Sequence, residues 1–187
     1  ASETGIGSLH LKNEGANPTG SHKDRMSRFV VQRALEAGAP TVAAASSGNA
    51  GVSLAAYAAK AGLGCVVVTT SEMNPNWRRA IEMHGATLLA TETPERRWQG
   101  LADRVRVGDW YPATNFSVPP VGSNPFGVDG YRSIAFEIFH ELGTSACTDI
   151  IVPTSRADLL WGIARGYRDL QTAGLAEQPP RIHAVEP

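Results

Sequence analysis

Cysteine is scarce in this chain, and neither sign of charge dominates. Only Cys65 and Cys147 occur in 187 residues, each close to an apolar run. They read as small buried residues rather than a disulfide framework, which fits a reducing, cytoplasmic setting. A net charge of -1 provides no basic field for nucleic acid or an acidic membrane. No apolar run approaches the roughly 20 residues of a spanning helix, so no membrane association is expected. No basic-then-apolar leader is visible, and the start at Ala1 rather than Met suggests a processed or trimmed N-terminus. The dinucleotide pattern G-x-G-x-x-G, the Walker lysine and the G-x-S-x-G elbow are all missing. His140-Glu141 lacks a second ligand at helical spacing, so no metal site is expected. Arg96, Arg97, Arg104 and Arg106 read as a solvated basic helix face, and Trp77, Trp98, Trp110 and Trp161 as packing or interface residues.

What is present is a chain built for a buried core, with 42% hydrophobic and 19% charged residues. Short apolar runs alternate with longer helical patterns. Strands are expected at 8–13, 41–45, 65–70, 87–90, 149–152 and 181–185, which places His10 and His183 on strands. Helices are expected at 24–37, 50–61, 75–84, 95–107, 131–142 and 158–172. Residues 110–128, with five prolines and asparagines between Asn115 and Pro125, read as loop. Strand–helix alternation predicts parallel α/β sheets, whose ligands collect where strands hand over to helices.

Two such handovers carry chemistry. Lys23 closes the run Asn17-Pro18-Thr19-Gly20-Ser21-His22-Lys23 at the start of a helix. Burial and the positive helix end both lower an amine's pKa, and a neutral amine attacks aldehydes. Taken alone, Lys23 is equally a solvated lysine at a capped helix start. Ser46-Ser47-Gly48-Asn49-Ala50-Gly51 joins a strand to a second helix and offers backbone N–H groups to an anion. Taken alone, it is equally an N-cap with packing glycines. Together they suggest an amine that bonds an aldehyde cofactor opposite an anion-holding loop, which is pyridoxal-phosphate (PLP) chemistry.

These loops, with Asn124-Pro125-Phe126 and Asp129-Gly130-Tyr131-Arg132-Ser133, resemble the fold-type II PLP enzymes of the tryptophan synthase β-like superfamily, and within it threonine synthases. The resemblance runs over nearly the whole chain. It implies two interleaved three-layer αβα domains: residues 1–39 and 143–187 in the large PLP domain, and 40–142 in a small inserted one. It implies that Lys23 bonds the cofactor and moves protons, and that Asn49 contacts the cofactor's ring oxygen. Ser46, Ser47, Gly48, Asn49 and Ala50 would bind a substrate α-carboxylate. The implied activity is elimination or replacement at the β or γ carbon of an amino acid, such as O-phosphohomoserine to threonine. Serine/threonine ammonia-lyase, a β-replacing synthase, and a non-catalytic remnant are the alternatives.

Three positions depart from the family pattern. His22 stands where an aromatic residue usually precedes the lysine, and reads as packing or surface. The matching phosphate loop, Val152-Pro153-Thr154-Ser155-Arg156-Ala157-Asp158, has no glycine before Gly162. Thr154 and Ser155, with helix amides and the Arg156 charge, would hold the phosphate there, while Asp158 is unfavourable unless it faces away. Relatives also continue beyond a Val-Glu-Pro strand, so a C-terminal part is expected to be missing, and the apolar surface left open favours a homodimer.

Overall fold

A computed structural model describes residues 5–117, 119, 122–143 and 147–186. Its centre is a four-stranded parallel sheet: β1 (Thr41–Ala45), β2 (Gly64–Thr70), β3 (Thr87–Thr91) and β4 (Tyr111–Pro112), in the order β3-β2-β1-β4. Val42, Ala43 and Ala44 of β1 are all fully buried. A central parallel strand is covered on both faces, which is why β1 lacks polar alternation. The β-branched run of β2 pairs with it from Thr41↔Gly64 to Ala45↔Val68.

Helices α1 (Lys23–Glu36), α2 (Asn49–Ala61), α3 (Pro75–Glu82) and α4 (Pro94–Arg106) cover or flank this sheet. α3 and α4 begin with Pro at the first turn, behind side-chain caps from Asn74 and Thr93. After α5 (Pro125–Asp129) and α6 (Arg132–Leu142), strands β5 (Asp149–Pro153) and β6 (Arg181–Val185) form a separate parallel pair, crossed over by α7 (Asp158–Thr172). Among the described residues no helix is long and apolar enough to cross a membrane.

Two expectations fail. Residues 8–13 form no strand: Leu9 and Leu11 are 71% and 86% exposed, with no ladder partner among the described residues, so His10 is not on a strand either. The lysine loop is instead entered through a 3-10 turn at Glu14–Ala16. Residues 110–128 are not all loop. Tyr111 and Pro112 pair with Val42 and Ala43, and Asn124 caps α5 by accepting from the Phe126 and Gly127 amides. The expected loop residues 118, 120 and 121 lie outside the described residues.

Close approaches fix α1, α6 and α7 around the lysine. A Cβ on Gly162 of α7 would lie 2.4 Å from Tyr131 Cβ, and one on Gly130 would lie 2.2 Å from the Arg25 carbonyl oxygen. Buried polar groups brace the same corner. The Asp24 carboxylate accepts from Thr19 N (2.7 Å), Thr19 Oγ1 (2.5 Å) and Ser53 Oγ (2.6 Å), tying the loop to α1 and α2. The Arg25 guanidinium donates to Glu14, Ser133 and Glu137, tying α1 to the turn and to α6. A buried charge with every donor engaged is held in one geometry.

Candidate active site

Lys23 is the first residue of α1, and its amine points into a tight polar corner. Its Nζ lies 3.0 Å from His22 Nε2 and donates to Tyr131 Oη at 3.3 Å. Burial lowers the Lys23 pKa, while the Asp158 carboxylate opposes the shift. Burial, then the neighbouring Lys23 charge, pushes His22 down to about 4, with Glu14 opposing. His22 is therefore neutral near pH 7, so Nε2 is able to accept a hydrogen bond from the amine. Burial also raises the Tyr131 phenol, assisted by Asp158 and Glu14, so it stays protonated.

A cavity of about 370 Å³ opens at this amine. Its walls come from both sheets: Ala45 at the end of β1, Arg97 and Trp98 on α4, Thr114 and Asn115 after β4, Ser123, and the β5–α7 connection Pro153–Asp158. The volume suits a small aromatic molecule. At the start of α7, Ala157 adopts a left-handed backbone at φ 59, unusual for a residue with a Cβ. α7 has no side-chain cap, so its first-turn N–H groups have no acceptor from the helix itself. Asp158 Oδ2 accepts from Ser123 Oγ at 2.6 Å, and Oδ1 accepts from Ser123 N at 3.3 Å.

The structure brings Lys23, Thr154 and Ser155 onto one cavity. Thr154 is not free to donate there: its hydroxyl donates to Val152 O at 2.8 Å, and its amide to Val185 O at 2.8 Å. Ser155 is exposed. The loop Ser46–Ala50 adjoins the cavity through Ala45 but does not line it. Ser46 Oγ accepts from Gly48 N (3.2 Å) and Gly51 N (3.0 Å), closing the turn into α2, whose first residue is Asn49.

Four residues at the lysine or its cavity escaped sequence reasoning in this role. His22 is a polar contact of the lysine rather than simple packing. Tyr131 lies 108 positions from Lys23 and reaches it only through α6 docking. Arg97 and Trp98 face the cavity, whereas the helix pattern put Arg97 on a solvated face. A detectable signal was the Arg-Arg-Trp sequence itself, because a tryptophan seldom sits on a wholly solvated face.

The chain is similar to known proteins over nearly its whole length. A profile of the pyridoxal-phosphate dependent enzyme family matches residues 1–187. The threonine synthase of Methanocaldococcus jannaschii is 33% identical over 186 residues, 98% of this chain and 44% of that protein. The threonine synthase of Mycobacterium tuberculosis is 34% identical over 177 residues, 93% of this chain and 47% of that protein. Among solved structures, an O-ureido-L-serine synthase superposes with TM-score 0.74 at 25% identity, over 94% of this chain and 54% of that one. The serine racemase of Dictyostelium discoideum superposes with TM-score 0.76 at 21% identity, over 94% and 53%. The chain thus spans under half the length of these curated relatives and about half of these solved chains.

Proposed function

The chain belongs to the pyridoxal-phosphate dependent enzyme family, whose members use pyridoxal 5′-phosphate, and from that premise we propose that it carries the cofactor-bonding site of a threonine-synthase-like amino-acid lyase or synthase. The observation that carries this reading is Lys23: a buried amine of lowered pKa, held by His22 and Tyr131 at the edge of a 370 Å³ cavity. The residues fit the group. An amine of lowered pKa meets an aldehyde, the cavity has room for the ring, and the uncapped start of α7 faces an anion favourably. Asp158 on the same wall is the one unfavourable charge.

When bound, the cofactor supplies an electron sink for negative charge at an amino acid's α-carbon. Lys23 Nζ would hold the cofactor through its aldehyde, and the amine would carry protons to and from the substrate's carbons. His22 Nε2 accepts a hydrogen bond from Nζ, and Tyr131 Oη orients it. Asn49 would contact the cofactor's ring oxygen, and Ser46, Ser47 and the amides of Gly48 to Ala50 would hold the substrate α-carboxylate. Thr154 and Ser155 flank the phosphate. Residues 1–39 and 143–187 belong to the cofactor domain and 40–142 to the smaller one, with two copies of the chain pairing. Ammonia loss from serine or threonine, or β-replacement, uses the same groups. A non-catalytic binding role is favoured by one observation only, the Asp158 carboxylate on the cavity wall.

The test is borohydride reduction of the chain mixed with pyridoxal 5′-phosphate, followed by peptide mass mapping. Expected is a reduced adduct on Lys23, missing in Lys23→Ala. An adduct spread over surface lysines, or none, defeats the proposal. Turnover of phosphohomoserine, threonine or serine then separates enzyme from remnant.

A further inference from the structure

Two guanidinium groups reach the Lys23 cavity without a carboxylate to pair either one. Arg97 comes from α4 and Arg156 from the β5–α7 connection, one beside each sheet. Other arginines of α4 have acidic partners: Arg96 has Glu92, Arg104 has Asp109 and Arg106 has Asp103. Among the described residues neither Arg97 nor Arg156 forms an ion pair. Both lean on Trp98, with Arg97 Cζ 5.7 Å and Arg156 Cζ 5.4 Å from the ring centre. Arg97 Nε is buried and has no hydrogen-bond partner. A charged donor left this way is costly unless a ligand supplies the acceptor. Burial lowers the Arg97 pKa, Arg156 pushes it the same way, and Glu95 opposes. Two cations are therefore held together with no ion-pair partner for either among the described residues.

Charge and chemistry identify that anion. The cavity adjoins the aldehyde-reactive amine, and the chain there has neither glycines nor free Thr154 donors to surround a phosphate. Asp158 adds a negative charge to the same wall. A phosphate dianion beside it needs compensating cations, and guanidinium forks match phosphate oxygens in shape. Resting on the cofactor assignment above, we propose that Arg97 and Arg156 form a phosphate-monoester clamp for the cofactor, bridging the two sheets in place of a glycine-rich loop. Trp98 positions both forks.

Pyridoxal 5′-phosphate and pyridoxal differ only in the phosphate, so their affinities for the full chain isolate the clamp. Wild type is expected to prefer the phosphorylated aldehyde. Arg97→Gln and Arg156→Gln should each weaken it by about 10- to 100-fold while leaving pyridoxal binding unchanged. Arg97→Lys should retain part of the preference, and Arg96→Gln all of it. Inorganic phosphate should raise the melting temperature of wild type but not of either glutamine variant, whose ligand-free melting temperatures check folding. Arg156 is exposed, so its variant keeps the test open should Arg97→Gln misfold. Equal weakening for both aldehydes overturns the clamp, and so does unchanged affinity for the phosphorylated one. Variants that lose only recognition of a phosphorylated amino acid also overturn it, because the arginines then serve the substrate. Wild type binding both aldehydes equally sinks the clamp alone, whereas binding neither sinks the cofactor assignment with it.

Discussion

Lys23 and His22 are chain neighbours, and burial, then the Lys23 charge, holds His22 neutral. The His22 pKa, pushed from 6.5 to about 4, makes a sign-definite prediction. The unfolded histidine binds a proton below about pH 6.5 and the folded one only near pH 4. Stability contributed by neutral His22 is thus present above pH 6.5 and lost progressively as pH falls toward 4, by roughly 1–2 kcal/mol after allowance for its partial exposure. Urea unfolding at pH 7.5, 6 and 5 should show this slope in wild type and a flatter one in His22→Phe. Parallel profiles would refute the assignment. Glu137 acts in a lower window: Arg25 first, then Lys12, depress it to about 2 against burial, so its contribution fades only below about pH 4.5. Lys23 was legible because a specific motif surrounds it. Tyr131 was not, because a contact across 108 residues depends on how two helices dock.

At the scale of elements, the α6–α7 contact decides whether Tyr131 reaches the lysine. Replacing a helical glycine by alanine ordinarily stabilises by about 1 kcal/mol. At Gly162 the added Cβ would meet Tyr131 Cβ at 2.4 Å and the Val128 carbonyl oxygen at 2.9 Å. Overpacking of this kind costs roughly 1–3 kcal/mol, so it outweighs the helix gain. Gly162→Ala should therefore lower stability and slow reduction-trapped labelling of Lys23 together. A variant more stable than wild type would show that the helices separate freely. The helix itself was readable from Ile134, Ile138 and Leu142 at helical spacing. A strand was expected at 8–13, where Leu9 and Leu11 alternate with polar neighbours, but a strand also needs a partner, and sequence period carries no information about partners. β4 and α5 were missed for the converse reason: pairing with β1 and the Asn124 cap overrode a proline-rich composition.

At the scale of the whole molecule, the pair β5–β6 is the exposed end of the fold. Val152 is buried and Ile150 and Ile182 are half-buried on the face nearest α7. The opposite face carries Asp149, Ile151 and Pro153 beside Arg181, His183 and Val185, as the register Ile151↔His183 and Pro153↔Val185 requires. All six are exposed, Ile151 by 66% and Val185 by 51%. Parallel sheets are normally covered on both faces, and a two-stranded sheet gains little stability alone. A second copy of the chain laid on this face would cover it, which is the physical basis for the proposed pairing. Sedimentation velocity at about 10–100 µM should show a dimer. Ile151→Lys places a charge on the open face, away from the α7 side, and should return the chain to monomer without lowering its unfolding midpoint by more than about 0.5 kcal/mol equivalent. A wild-type monomer throughout that range would exclude this face as a self-association surface. A dimer indifferent to Ile151→Lys would move the contact elsewhere, with exposed Phe29 and Phe136 on α1 and α6 the next surfaces to charge.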